Sequence, residues 1–143
     1  MSAQLRWYAK ARQSLFAAKI NFLGDDIRIA LLSSDYVPNQ NVDEKWSDIS
    51  SFEISGPGYD AGGRTLANKT VSYDPGTKKT TLDADDPQWD NATLAGRNVV
   101  CYDNTHPDKP LLGFSDYGDF ACTNGMMKVR FSANGMFTDT LNP

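Results

Sequence analysis

"ATLAGRNVVCYD", residues 92–103, ends in Val99, Val100, Cys101 and Tyr102. That apolar run is too short for a buried helix and rich in strand-forming residue types. It reads as a fully buried strand, and the same grammar repeats on either side of it. "DIRIALLSS" (26–34) is a second aliphatic strand, and "LLGFSDYG" (111–118) is a third, reached through the loop "NTHPDKP". "MMKVRFS" (126–132) alternates, sending Met127, Val129 and Phe131 inward and Lys128 and Arg130 outward. "LANKTVSYD" (66–74) puts Val71 and Tyr73 on one face. "DPGT" (74–77) follows as a tight turn, so "KKTTLDAD" returns as the hairpin partner. "VPNQNVDEKWSD" (37–48) is a polar loop, and "ISSFEIS" (49–55) alternates only loosely. Strands spaced roughly 8–12 residues apart, with no helical pattern between them, predict an antiparallel β-sandwich, jelly-roll-like, and argue against a parallel α/β sheet.

A chain of 143 residues suits a single domain, here 1–143, and 40% hydrophobic with 11% aromatic residues is too apolar for global disorder. The longest apolar run is far too short to cross a bilayer. The opening residues also lack the apolar centre and cleavage signature of a secretion signal. The expectation is a soluble intracellular product with no membrane contact. Residues 1–24 stand apart as a basic helical arm. Leu5, Tyr8, Ala11, Leu15, Ala18 and Phe22 recur at three- and four-residue steps, which predicts a helix over 4–20 ended near Gly24. The arm carries +4 with no acidic residue, against −8 for the rest of the chain. Four positive charges around one Trp7–Tyr8 pair are weak footing for nucleic acid; they can grip a neighbouring copy or an acidic partner, or simply form a solvated helix face.

Three constellations invite chemistry. "DADDPQWD" (83–90) clusters four aspartates, but Pro87 and Gln88 fall where a calcium loop needs a ligand and a turn glycine, and no glutamate closes it. It reads as an acidic turn before a buried Trp89. Cys101, Asp103 and His106 are close in sequence, yet a thiol inside an apolar strand stays protonated. With two cysteines and one histidine the chain cannot assemble a four-ligand zinc site of Cys and His, and Cys101 and Cys122 read as free buried thiols. "GPGYDAGG" lacks the lysine and serine of a phosphate-binding loop and does not open a helix. "NKT" at Asn68 and "NAT" at Asn91 match the glycosylation sequon, which is idle without secretion. No metal, cofactor or catalytic residue is expected, and the reading that remains is a structural or interaction protein.

"EISGPGYDAGGRTLANKTVSYD" then becomes informative. With Ser47-Asp48-Ile49 before it, and "LDADDPQWDNATLAGRNVVCYD" and "PLLGFSDYG" after it, the order of features resembles small virion structural proteins of tailed bacteriophages. The pattern is E-x-S-G-x-G-Y-x-x-G-G-x-x-L-x-x-K. Glu53, Ser55, Gly56, Gly58, Tyr59, Gly62, Gly63, Leu66, Lys69 and Thr70 fall in register with it. The resemblance implies a non-enzymatic virion protein, first of all a capsid decoration or cement subunit on the shell of the major capsid protein. A neck or tail component is the alternative from the same family. From another class, a carbohydrate-binding sandwich would use Trp46 and Trp89 as a flat sugar platform.

In that setting Gly56, Gly58, Tyr59, Gly62 and Gly63 are expected to let neighbouring backbones meet closely, with lattice repetition multiplying weak contacts. Leu15 through Phe22 are expected to pack on the domain. Leu5, Arg6, Trp7 and Tyr8 are expected to reach a neighbour, in a cyclic homo-oligomer such as a trimer.

Overall fold

The computed structural model describes residues 2–142, and it is mainly β. In chain order the elements are β1 (Arg6–Trp7), α1 (Ala9–Phe16), β2 (Ile27–Leu32), α2 (Trp46–Ile49) and a 3-10 turn over Ser50–Phe52. After these come β3 (Arg64–Thr65), β4 (Thr70–Asp74), β5 (Lys79–Asp83), β6 (Gln88–Asp103), β7 (Leu111–Lys128) and β8 (Phe137–Thr140). A five-stranded sheet runs β1-β7-β6-β2-β3 and a three-stranded sheet runs β4-β5-β8, with every ladder antiparallel. This is the sandwich-like arrangement that the strand spacing predicted.

The apolar run 99–102 is buried because its sheet is covered on both faces. On one face Ile27, Ile29, Leu31, Val99, Cys101 and Leu112 pack toward Leu82 and Phe137 of the smaller sheet. On the other, Ala30, Leu32, Val100, Tyr102, Leu111 and Phe114 are covered by Tyr8 and Ala11 at the start of α1, by Trp46 and Ile49 of α2, and by Tyr36. A strand wet on one side would have alternated with polar residues; this one does not because it has no wet side. Polar groups in the second layer are paired. Tyr8 and Tyr36 share a hydroxyl bond of 2.6 Å, and Tyr36 donates to Asp43 at 2.7 Å.

β6 and β7 form one long ribbon. "LLGFSDYG" and "MMK", expected as separate strands, belong to a single β7 of 18 residues. It bulges where Gly96 pairs Phe120 and Asn98 pairs Asp116, with Gly118 at φ +83° in the extra turn. Met127, Val129 and Phe131 point inward as the alternation required, and Arg130 stays exposed.

The N-terminal helix is shorter than its apolar stripe suggested. Instead of 4–20 it covers Ala9–Phe16, for two physical reasons. Ahead of it the sheet captures the backbone: Arg6 pairs Phe114 and Trp7 pairs Gly113. Behind it Ala18 turns left-handed at φ +60°, Ala18 N–H bonds Leu15 carbonyl and Lys19 N–H bonds Ser14 carbonyl. That is a Schellman closure, several residues before the Gly24 that sequence spacing favoured.

Candidate interaction surface

The loop from Glu53 to Thr70 is closed by one carboxylate. Glu53 Oε2 accepts the Tyr59 hydroxyl at 2.6 Å and the Gly62 N–H at 2.9 Å. The Tyr59 oxygen in turn accepts the Leu31 N–H at 3.1 Å, which ties the loop to β2. Burial first, and then Glu53, pushes the Tyr59 phenol up, so it stays protonated and donates. Its ring stacks on Trp89 at 5.7 Å. Tyr102 hydroxyl donates to Gly62 carbonyl at 2.6 Å, and Thr93 N–H donates to Pro57 carbonyl at 3.0 Å. The loop is thereby laid along β6 on one side and β2 on the other.

Two glycines show why the stretch had to be glycine-rich. Gly63 sits at φ +84°, and a Cβ there would lie 2.0 Å from the Ile29 carbonyl oxygen. Gly58, also at φ +84°, would place a Cβ 2.8 Å from Ala92 Cα. Both backbones touch another backbone of the same chain. The close approach expected toward neighbouring subunits is, at Gly56, Gly58 and Gly63, made within the subunit, while Tyr59 and Gly62 are held by Glu53. Substituting Glu53→Gln keeps the acceptor position and removes its charge. We expect a loss of about 1 kcal/mol in urea unfolding at neutral pH, the difference between a charged and a neutral acceptor.

The N-terminal expectation is corrected in the same direction. Leu5 (4% exposed) and Tyr8 (1%) lie in the chain's own core. Trp7 stacks on Phe137 at 4.1 Å and donates its Nε1–H to the Thr138 carbonyl at 3.2 Å. Arg6 is exposed, with its guanidinium 5.8 Å from the Phe114 ring centre. Of the stretch expected to pack, Ile20 and Phe22 are buried, whereas Phe16 is 90% exposed. The apolar stripe that looked half free is therefore mostly claimed by the domain.

The other candidate residues are also placed. Trp89 is fully buried, and Trp46, 9% exposed, stacks on Tyr102 at 4.4 Å, so neither offers a free face to a sugar ring. The four aspartates of 83–90 each accept a bond from the chain: Asp83 from Ala84 N–H, Asp85 from Asn68, Asp86 from Phe131 N–H and Asp90 from Gln88. Among the described residues no group of three or more His, Cys, Asp and Glu gathers as a metal site. Cys101 and Cys122 are free thiols. Burial pushes the Cys101 thiol up, and His106 Nδ1 accepts the Asp108 N–H at 3.0 Å.

Sequence reasoning missed two features. One is a contact between Asp25 and the fully buried Asp103 at the end of β6. Its signal is an aspartate closing an apolar run. The other is the bare edge of β4, whose signal is a strand with no buried position, exposed from Thr70 through Asp74. No helix is long and apolar enough to cross a membrane among the described residues. Comparison with protein-family models, curated proteins and solved structures finds no match to this chain.

Proposed function

We propose that the chain is a non-enzymatic virion structural protein of a tailed bacteriophage, decorating the outer surface of a shell built by the major capsid protein. The observation that carries this reading is the run Glu53–Thr70. It resembles the pattern of that family, and its residues form one self-contained clamp in which Glu53, Tyr59, Gly62 and Gly63 each have a structural task. A small sandwich braced in this way is a rigid platform, and rigid platforms repeated on a lattice gain attachment from many weak contacts. Arg6 and Phe16 are among the N-terminal side chains left exposed to such a surface. The test is to add the purified protein to shells of the encoding phage that lack it, and to image them by electron microscopy. Decoration gives density over the whole shell. Density confined to one vertex or the tail would move the protein to the neck or tail, and no density would end the virion reading.

A further inference from the structure

The two sheets end in four terminal strands among the described residues, and three of these are very short or covered. β1 and β3 are two residues long, too short to template a partner. β8 is covered by the arm: Trp7 stacks on Phe137 and bonds the Thr138 carbonyl, while Arg12 pairs with Asp139. β4 is different. Thr70–Asp74 pairs with β5 residue for residue, without a bulge, a proline or an inward charge. Every residue in it is exposed, including Val71 at 46% and Tyr73 at 50%.

The register fixes which main-chain groups are free. Leu141 N–H bonds Lys78 carbonyl, so alternation along an antiparallel ladder turns the groups of Thr80 and Leu82 toward β8. Lys79, Thr81 and Asp83 then bond β4 through Asp74, Ser72 and Thr70. The N–H and C=O groups of Val71 and Tyr73 point off the edge.

We propose that this edge pairs with β4 of a second copy of the chain, antiparallel about a twofold axis through Ser72. The sequence TVSYD is complementary to itself in that register. Val71 exchanges main-chain bonds with Tyr73 of the second copy, and the reverse. These bonds join the groups that β5 leaves open, through β-branched and aromatic side chains that pair well. Thr70 stands opposite Asp74, where its hydroxyl can donate to the carboxylate. The two Asp74 charges fall at opposite ends of the ladder, about 13 Å apart at strand rise, so the one charge in the strand does not repel its copy. The contact is small and its dissociation constant belongs to the weak class, between about 1 µM and 1 mM. It stands whether or not the protein decorates a shell.

The test has two arms on the full chain. Sedimentation across that concentration range should show a monomer–dimer equilibrium, and Val71→Lys, which puts a charge into the edge, should weaken it at least about tenfold. The second arm uses Ser72→Cys in a Cys122→Ser background. Ser72 would face its own copy as a non-hydrogen-bonded pair with Cα atoms about 4.5 Å apart, within reach of a disulfide once both carry a thiol. Mild oxidation should give a cross-linked dimer much faster than the same treatment of a Thr77→Cys control. A dimer that survives Val71→Lys, a wild type that stays monomeric throughout the range, or a Ser72→Cys variant that links no faster than the Thr77→Cys control would overturn the proposal. If Val71→Lys fails to fold, the cross-linking arm decides alone.

Discussion

Deletion of residues 1–9 is expected to unfold the domain. The deletion removes β1 from the five-stranded sheet, and with it Ala3, Leu5 and Tyr8, all buried. It also strips Trp7 from Phe137, whose ring belongs to the main core. Truncating a single buried Leu or large aromatic costs about 2–5 kcal/mol. Losing two, together with a strand, exceeds about 5 kcal/mol and matches the whole stability of an ordinary domain. Circular dichroism of the truncated protein should show loss of the cooperative thermal transition. A folded product with an unchanged melting temperature would restore the free-arm picture and contradict the observed packing.

The second large effect is on pH dependence. Asp103 is fully buried; its Oδ1 accepts Thr105 N–H at 2.8 Å, and among the described residues no N–H or O–H reaches its Oδ2. Asp25 is the carboxyl that acts on it, and a protonated Asp103 has an O–H to offer the Asp25 carboxylate. Burial, and then Asp25, pushes Asp103 up to about 7, whereas the bond from Asp103, with help from Lys69 and His106, holds Asp25 below its ordinary range. Beside this corner Asp26 pairs with Arg28 at 2.9 Å, and the Cys101 thiol stays neutral. A group whose folded pKa is raised stabilises the fold by binding its proton. That contribution is complete below about pH 4 and is lost as pH rises through about 7. Asp25 has the opposite sign and loses its contribution as pH falls below the carboxylate range.

Stability should therefore peak in weak acid and drop by roughly 2–4 kcal/mol between about pH 5 and pH 8. Asp103→Asn supplies a neutral partner with an N–H to give Asp25. It should flatten that slope and be more stable than wild type at the alkaline end. Urea unfolding at the two pH values measures both, and a variant with the wild-type slope would remove the shared proton from the account.

The two layers of this molecule were legible to different degrees. Strand positions came through because burial writes itself into composition: Val99 to Tyr102 has no charged residue, and Met127, Val129 and Phe131 alternate. The hairpin of β4 and β5 was readable from Asp74, Pro75 and Gly76, where Gly76 N–H bonds Asp74 Oδ1 at 2.9 Å. The helix length was not readable, because Leu5 and Tyr8 satisfy a helical stripe equally well when a strand turns them into the core. Periodicity reports that a side chain is covered, but not by what. The glycine-rich loop failed in the same way. Its need for positive φ and close approach was visible, yet only the fold shows that Ile29 and Ala92 of the same chain stand opposite. The contact between Asp25 and Asp103, 78 positions apart, shows locally only as an aspartate closing an apolar run, and nothing in the sequence marks its partner.

That distance along the chain has a consequence for how the molecule is made. Ala3 to Tyr8 are synthesised more than about a hundred residues ahead of their partners at Phe114, Gly113 and Phe131. Until those residues are made, Leu5 and Trp7 have no seat. A segment made early is placed late, and closure waits for residues 113–131. Nascent chains hold this apolar, cationic segment in solution until the ribbon of β6 and β7 is complete, and that interval is when chaperone capture or aggregation acts on it.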